Sequence, residues 1–172
     1  MFRLVVKDVK QMQHLAQMIS NHLQGGDLVV LTGDLGAGKT VFARSLLEAV
    51  GVDQAITSPT FVIMKSYQGK FPVEHVDIYR IDSSEELDVL CITDLLEEGH
   101  LVVMEWGEKA LGMFGESYLH IIFERLEDDV SLDDEIAGKS PRFVSLDMVG
   151  SGFTGRRKRF ENDITVNWGM AI

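Results

Sequence analysis

Apolar residues along the chain fall into short continuous runs that alternate with stripes at helical spacing. Leu28-Val29-Val30-Leu31 is a continuous run, the pattern of a strand buried on both faces. Downstream, Phe42, Ala43, Leu46, Leu47 and Val50 recur at helical spacing, and Gly51 follows where a helix commonly meets its glycine cap. Leu101-Val102-Val103-Met104 repeats the buried-strand pattern and ends in Glu105-Trp106. Nearer the start, Phe2 to Val6 predicts a short strand. Met12, Leu15, Ala16, Ile19 and Leu23 predict a helix that opens with a capping box, Asp8 with Gln11, and runs to Gly25-Gly26.

The second half is read the same way. Pro59 bars helix, so Thr57-Ser58-Pro59-Thr60-Phe61 predicts a loop leading into a strand Phe61-Val62-Ile63-Met64. Gly69-Lys70 marks a hairpin, and the chain returns from Val73 to Ile81. In that return His75, Asp77 and Tyr79 alternate with Val76, Ile78 and Arg80, so the first three share a face. That face belongs either to a site or to an edge strand with its polar side in water. Ser83 with Glu86 opens a surface helix carrying Leu87, Leu90, Leu95 and Leu96, with a break near Thr93. Tyr118 to Leu126, with Leu119, Ile121 and Phe123, and Arg142 to Val149, with Phe143, Leu146 and Met148, read as strands. The acids between them, Glu127-Asp128-Asp129 and Asp133-Asp134-Glu135, predict a solvated loop and lack the Gly and closing Glu of a calcium loop. The Gly-rich, then basic end predicts a loosely held tail.

Chemistry concentrates between the first buried strand and the helix after it. Gly33-Asp34-Leu35-Gly36-Ala37-Gly38-Lys39-Thr40 fits G-x-x-x-x-G-K-[ST], followed by Val41. Its glycines let successive backbone N–H groups converge on phosphates, and the helix adds its positive N-terminal end. Lys39 then reaches the β- and γ-phosphates, and the Thr40 hydroxyl goes to magnesium. A Gly-rich turn that binds nothing would share the spacing, but strand, loop and helix are all present. Glu105 ends a buried strand, where open α/β sheets bind ligands, and fits the Walker B position that holds hydrated magnesium or places the attacking water. The plain alternative for Glu105 is a cap for the next helix, and for Trp106 it is packing.

Length and charge narrow the field. The 172 residues make one domain, residues 1–149, with an acidic loop at about 127–141 and a tail at 150–172. No apolar run reaches the ~20 residues that cross a bilayer, and no signal-peptide pattern opens the chain, so a cytoplasmic protein without membrane contact is expected. Cys91 is the single cysteine, which excludes an intramolecular disulfide and a Cys-based metal site and predicts a buried, inert thiol. A net charge of -11 disfavours independent RNA binding. The local exception is Arg156-Arg157-Lys158-Arg159, either a solvated run or a contact for an acidic partner or RNA.

Four blocks together, Gly33 to Thr40, Thr57 to Phe61, His75-Val76-Asp77-Ile78-Tyr79-Arg80 and Glu105-Trp106, resemble the TsaE (YjeE) family of small P-loop ATPases in bacterial tRNA threonylcarbamoyladenosine biosynthesis. The resemblance spans about residues 8 to 125. It implies a P-loop NTPase-like three-layer α/β fold, a mostly parallel central sheet with added antiparallel strands and helices on both faces. It implies ATP and Mg2+ bound by Gly33 through Val41, with Thr40, Glu105 and Asp77 attending the metal and Asp77, Glu105 and Lys39 serving hydrolysis. Ser58, Pro59, Thr60 and Phe61 become a switch-like loop, and His75, Tyr79, Arg80 and Trp106 support the site. The family acts as a partner: a complex of TsaD and TsaB transfers the threonylcarbamoyl group to the adenosine beside the anticodon, and TsaE binds that complex and hydrolyses ATP to support turnover. The tRNA is met only through the complex. Cys91 stands where relatives usually carry glycine.

Three rival functions share the phosphate loop. A small-molecule kinase needs an acceptor pocket, commonly under a lid bearing arginines, yet Arg80 is the single arginine between Arg44 and Arg125. A GTPase usually carries Asn-Lys-x-Asp, and no Asn here precedes Lys. Asp77 with Glu105 argues against a non-hydrolysing adaptor.

Overall fold

The continuous apolar runs become the middle of a seven-stranded sheet. The structure is a computed structural model and describes residues 1–126 and 140–168. Its elements are β1 (Phe2–Val6), α1 (Val9–Ser20), β2 (Leu28–Gly33), α2 (Lys39–Ala49), β3 (Met64–Gln68), β4 (Pro72–Asp77), α3 (Ser84–Asp88), α4 (Ile92–Glu97), β5 (Leu101–Glu105), β6 (Tyr118–Arg125), β7 (Arg142–Val149) and α5 (Thr154–Trp168). The strand order is β1-β7-β6-β2-β5-β4-β3. The central four, β6, β2, β5 and β4, run parallel, while β1, β7 and β3 add on antiparallel. Helices α1, α2 and α5 cover one face and α3 and α4 the other, the expected three-layer α/β arrangement.

Two buried clusters explain why the central strands carry no polar alternation. Val29 and Leu31 of β2 pack with Leu15 of α1 and Phe42 and Leu46 of α2, while Leu28 and Val30 pack on the opposite face with Val102, Met104 and Ile92. Parallel strands also bring their carboxyl ends to one edge. Gly33, Asp77 and Glu105 end β2, β4 and β5 there, where sheets of this kind hold ligands.

Several elements end elsewhere than the pattern predicts. Asp8 caps α1 as expected, its carboxylate accepting from Gln11 N–H at 2.8 Å, but the helix stops at Ser20, well before Gly25-Gly26. Phe61 and Val62 are 83% and 57% exposed in a turn, and β3 begins at Met64, because Val62 and Ile63 N–H groups both bond back to Pro59 O (2.8 and 2.7 Å). β4 ends at Asp77 and lies inside the sheet between β3 and β5, so its polar face is buried and the edge-strand alternative falls. On β7 the core residues are Val144, Leu146 and Met148. Phe143 projects to the other side, under the Arg3 guanidinium at 4.1 Å. The helical break falls at 89–91 rather than Thr93, because Cys91 adopts a left-handed conformation (φ 50, ψ 37). Its thiol is exposed, not buried. The acidic loop lies outside the described residues.

The largest correction is the C-terminal stretch. In place of a loose tail, α5 buries Phe160 and Ile164 against the core, with Phe153 just before it. Arg156 forks onto Asp27 (2.5 and 2.8 Å) and onto His22 O (2.7 Å), and Asp163 meets His22 Nε2 at 2.7 Å. Arg157 donates to Met148 O. Half of the basic run is therefore spent within the fold, and Lys158 and Arg159 remain exposed. Among the described residues no helix is long and apolar enough to cross a membrane.

Removing the Phe160 ring leaves a cavity under α5, so Phe160→Ala is expected to cost about 3–4 kcal/mol in urea unfolding, where a loose tail would cost nothing. Cys91→Gly relieves a left-handed penalty of about 1 kcal/mol while adding disorder to the unfolded chain, so the melting temperature is expected to hold or rise slightly.

Candidate functional site

The phosphate-type loop lies between β2 and α2, and two close approaches dictate its glycines. A Cβ on Gly33 would sit 2.3 Å from Phe123 O, and Gly38 has φ 111 with Arg142 and Met12 against it. Gly38 is also the N-cap of α2 and supplies no side-chain hydrogen bond, so the first-turn amides of that helix are left for another acceptor. Within the loop, Ala37 N–H bonds to Asp34 O at 3.1 Å.

Lys39 is 5% exposed and its ammonium is held by neutral groups. It donates to Gly33 O and to Asp34 O (2.9 Å) and lies 3.4 Å from the Trp106 ring centre. Burial lowers its pKa from the usual lysine value, and the charges of Glu105, Glu108, Asp77 and Asp34 pull it back up. Trp106 reaches the ammonium because its backbone is left-handed (φ 62) directly after β5, which turns the indole back over the loop. Tyr79 packs on the indole at 4.8 Å between ring centres.

The carboxylates come from the neighbouring strands. The β4–β5 register sets Asp77 opposite Glu105, and both are buried. Thr40 Oγ1 donates to Glu105 Oε2 at 2.7 Å, and His75 Nε2 lies 2.9 Å from Glu105 Oε1. Asp77 Oδ2 accepts from Thr60 Oγ1 at 2.7 Å, and Asp77 Oδ1 accepts from Tyr79 N–H at 3.0 Å. Ser58 Oγ contacts Thr60 Oγ1 at 2.6 Å, and Lys65 donates to Ser58 O at 3.3 Å, which docks the loop after Pro59 onto the end of β4.

These groups surround one cleft of about 310 Å³, lined by Leu35, Gly36, Gly38, Lys39, Thr40, Val41, Thr60, Asp77, Tyr79, Arg80, Glu105, Trp106 and Arg142. A larger cavity of about 1050 Å³ on the β6–β7 side shares Gly33 and Asp34 with the loop but is not lined by Lys39, Thr40, Asp77 or Glu105. Of the residues marked by sequence, Gly33, Asp34, Ala37, Ser58, Pro59, Phe61 and His75 stand outside the cleft's lining. Phe61 sits beneath the Arg80 guanidinium at 4.9 Å, and His75 is buried behind Glu105. Arg142 is the addition. Its Nε donates to Ala37 O at 2.6 Å, bracing the loop from β7, and a lone arginine beyond an acidic stretch carries no motif to flag it.

The donor set suits a hard cation, since Thr40, Glu105 and Asp77 offer only oxygen. Among the described residues no cluster of three or more His, Cys, Asp or Glu is arranged as a metal cage. Magnesium takes one or two such oxygen ligands and completes its shell with water and phosphate oxygens.

Comparison with known proteins adds a family to this geometry. Residues 6–133 match the family model for threonylcarbamoyl adenosine biosynthesis protein TsaE. The tRNA threonylcarbamoyladenosine biosynthesis protein TsaE of Streptomyces coelicolor is 38% identical over 149 residues, covering 80% of this chain and 97% of that one. The protein of the same name from Bacillus subtilis is 33% identical over 117 residues, 67% of this chain and 72% of that one. The crystal structure of Bacillus subtilis YdiB has the same fold, with a TM-score of 0.71 over 93% of each chain at 22% identity.

Proposed function

We propose that this chain, which belongs to the TsaE family, is the ATP-binding and ATP-hydrolysing component of tRNA threonylcarbamoyladenosine modification and acts with the TsaD–TsaB complex. The observation that carries the reading is the convergence of Lys39, Thr40, Asp77 and Glu105, from three separate elements, on one cleft beside an uncapped helix N-terminus.

In this reading the loop amides and the first turn of α2 receive the phosphates, and Lys39 exchanges its carbonyl and indole partners for phosphate oxygens. An anion there offsets the desolvation that burial imposes on the ammonium. Thr40 and Glu105 hold the magnesium, with Asp77 beside them. Bound magnesium supplies the positive charge that offsets the triphosphate during phosphoryl transfer. Asp77, at the carboxyl end of β4, accepts a hydrogen bond from the attacking water and orients it. Thr60 Oγ1 donates to Asp77 Oδ2, so the loop from Ser58 to Phe61 responds when Asp77 changes partner. Adenine is favoured over guanine because no Asn-Lys-x-Asp segment is present.

TsaD and TsaB are the partners, and tRNA is reached through them rather than by a basic surface of this chain, whose net charge is -11. Titrating TsaD and TsaB against this protein with and without ATP, while following binding and phosphate release together, tests the whole assignment. Nucleotide-dependent association with faster phosphate release is expected, and association blind to nucleotide would overturn it.

Lys39→Ala is expected to abolish nucleotide binding in calorimetric titration, because the loop carbonyls of Gly33 and Asp34 hold that ammonium where the phosphates are received. Glu105→Ala is expected to keep the wild-type circular dichroism spectrum while losing magnesium-dependent phosphate release. Hydrolysis at the wild-type rate in that variant would reduce Glu105 to a structural group.

A further inference from the structure

We propose that His75 is a positioning residue for Glu105, fixing one carboxylate oxygen so that the other is presented to Thr40 and the bound ion. The inference rests on the ATP and magnesium reading above and adds the group that holds its carboxylate in place. His75 lies within β4, fully buried, and its ring meets Glu105 Oε1 through Nε2 at 2.9 Å. Glu105 Oε2 takes the Thr40 hydroxyl at 2.7 Å, so the two oxygens of one carboxylate serve different partners on opposite sides.

Packing alone does not account for an imidazole at this position. Among the described residues His75 Nδ1 is buried without a hydrogen-bond partner. A buried polar atom left unsatisfied is unfavourable, and an aliphatic side chain such as the neighbouring Val73 and Val76 would fill the strand without that penalty. Among the described residues the ring's single polar tie is the one to Glu105. With Nε2–H as the donor toward the carboxylate, Nδ1 carries a lone pair rather than an N–H in need of an acceptor.

Glu105 gains a fixed rotamer from this contact. With Oε1 pinned, rotation of the carboxyl group is arrested and Oε2 stays aimed at the N-terminus of α2. Partners behind a metal ligand act in this way generally, and losing one costs about ten- to a hundred-fold in metal affinity or activity.

The test measures how the affinity for a fluorescent ATP analogue depends on magnesium, from EDTA upward, in wild type, His75→Leu, His75→Gln, Glu105→Ala and the double variant His75→Leu with Glu105→Ala. His75→Leu is expected to raise the magnesium concentration needed by about ten- to a hundred-fold and to leave the affinity in EDTA unchanged. His75→Gln, whose amide N–H reaches toward Glu105 much as Nε2 does, is expected to recover most of the loss. In the Glu105→Ala background the histidine change should add nothing. If His75→Leu fails to fold, His75→Asn, whose amide stops short of Glu105, takes its place with the same expected loss. The proposal is overturned by wild-type magnesium dependence in His75→Leu, by an equal loss in EDTA, or by an undiminished loss when Glu105 is already alanine. Should Glu105→Ala itself keep the wild-type magnesium dependence, the magnesium reading fails and this inference with it, a result distinct from a failure of His75 alone.

Discussion

Two carboxylates side by side on adjacent parallel strands are the constraint around which the cleft is built. The β4–β5 register sets Asp77 opposite Glu105, and paired strands run only about 4.8 Å apart. Buried carboxylate oxygens need donors or cations to answer them. Each acid here has two donors. Glu105 takes the Thr40 hydroxyl and the His75 ring, and Asp77 takes the Thr60 hydroxyl and the Tyr79 amide. The donors come from α2, from β4, from the loop after Pro59 and from the turn beyond β4. One register therefore ties these four segments together at the cleft.

The same constraint explains the odd position of Lys39. Its ammonium is buried yet bonds to two carbonyls and a tryptophan face, while Asp77 and Glu105 act on it through space and spend their oxygens elsewhere. Desolvation works against the charged form and the surrounding acids work for it. In the proposed reading a cation in that balance receives an anion, and the uncapped start of α2 points the same way. The left-handed backbone of Trp106 belongs to this arrangement, because an extended residue after Glu105 would not bring the indole back over the loop.

Most of this was legible because it rests on period and spacing. Buried parallel strands show as unbroken apolar runs, so β2 and β5 and the residues at their ends could be read directly. The motif from Gly33 to Thr40 and the terminal acid of β5 then placed the cleft. Errors fell where tertiary contacts decide. The turn at Phe61 and Val62 looks like a strand by composition, but both amides at its end bond back to Pro59. α5 reads as a tail in sequence because its buried face has only Phe160 and Ile164, one residue per turn amid charges, while its anchorage comes from Arg156 on Asp27, a pair far apart in sequence. Cys91 looked like a core thiol because cysteine is usually buried. Its left-handed backbone is instead the feature that separates α3 from α4, which is why glycine suits the position.

The part of the chain beyond the family match bears on the site as well. The matched stretch ends at residue 133, yet β7 follows it and fills the sheet between β1 and β6. From the first residue of β7, Arg142 bonds Ala37 O at 2.6 Å and lies against Gly38, so the outer wall of the phosphate loop leans on a strand outside the matched stretch. α5 in turn buries Phe160 on the face where α1 and α2 pack and clamps Asp27 at the entrance to β2. The loop is thus braced from two directions: β4 and β5 hold its chemistry through the acids, and β7 holds its backbone through a guanidinium. In the proposed reading, a loop braced in this way presents its amides without the ordering cost that a flexible glycine stretch would incur on binding.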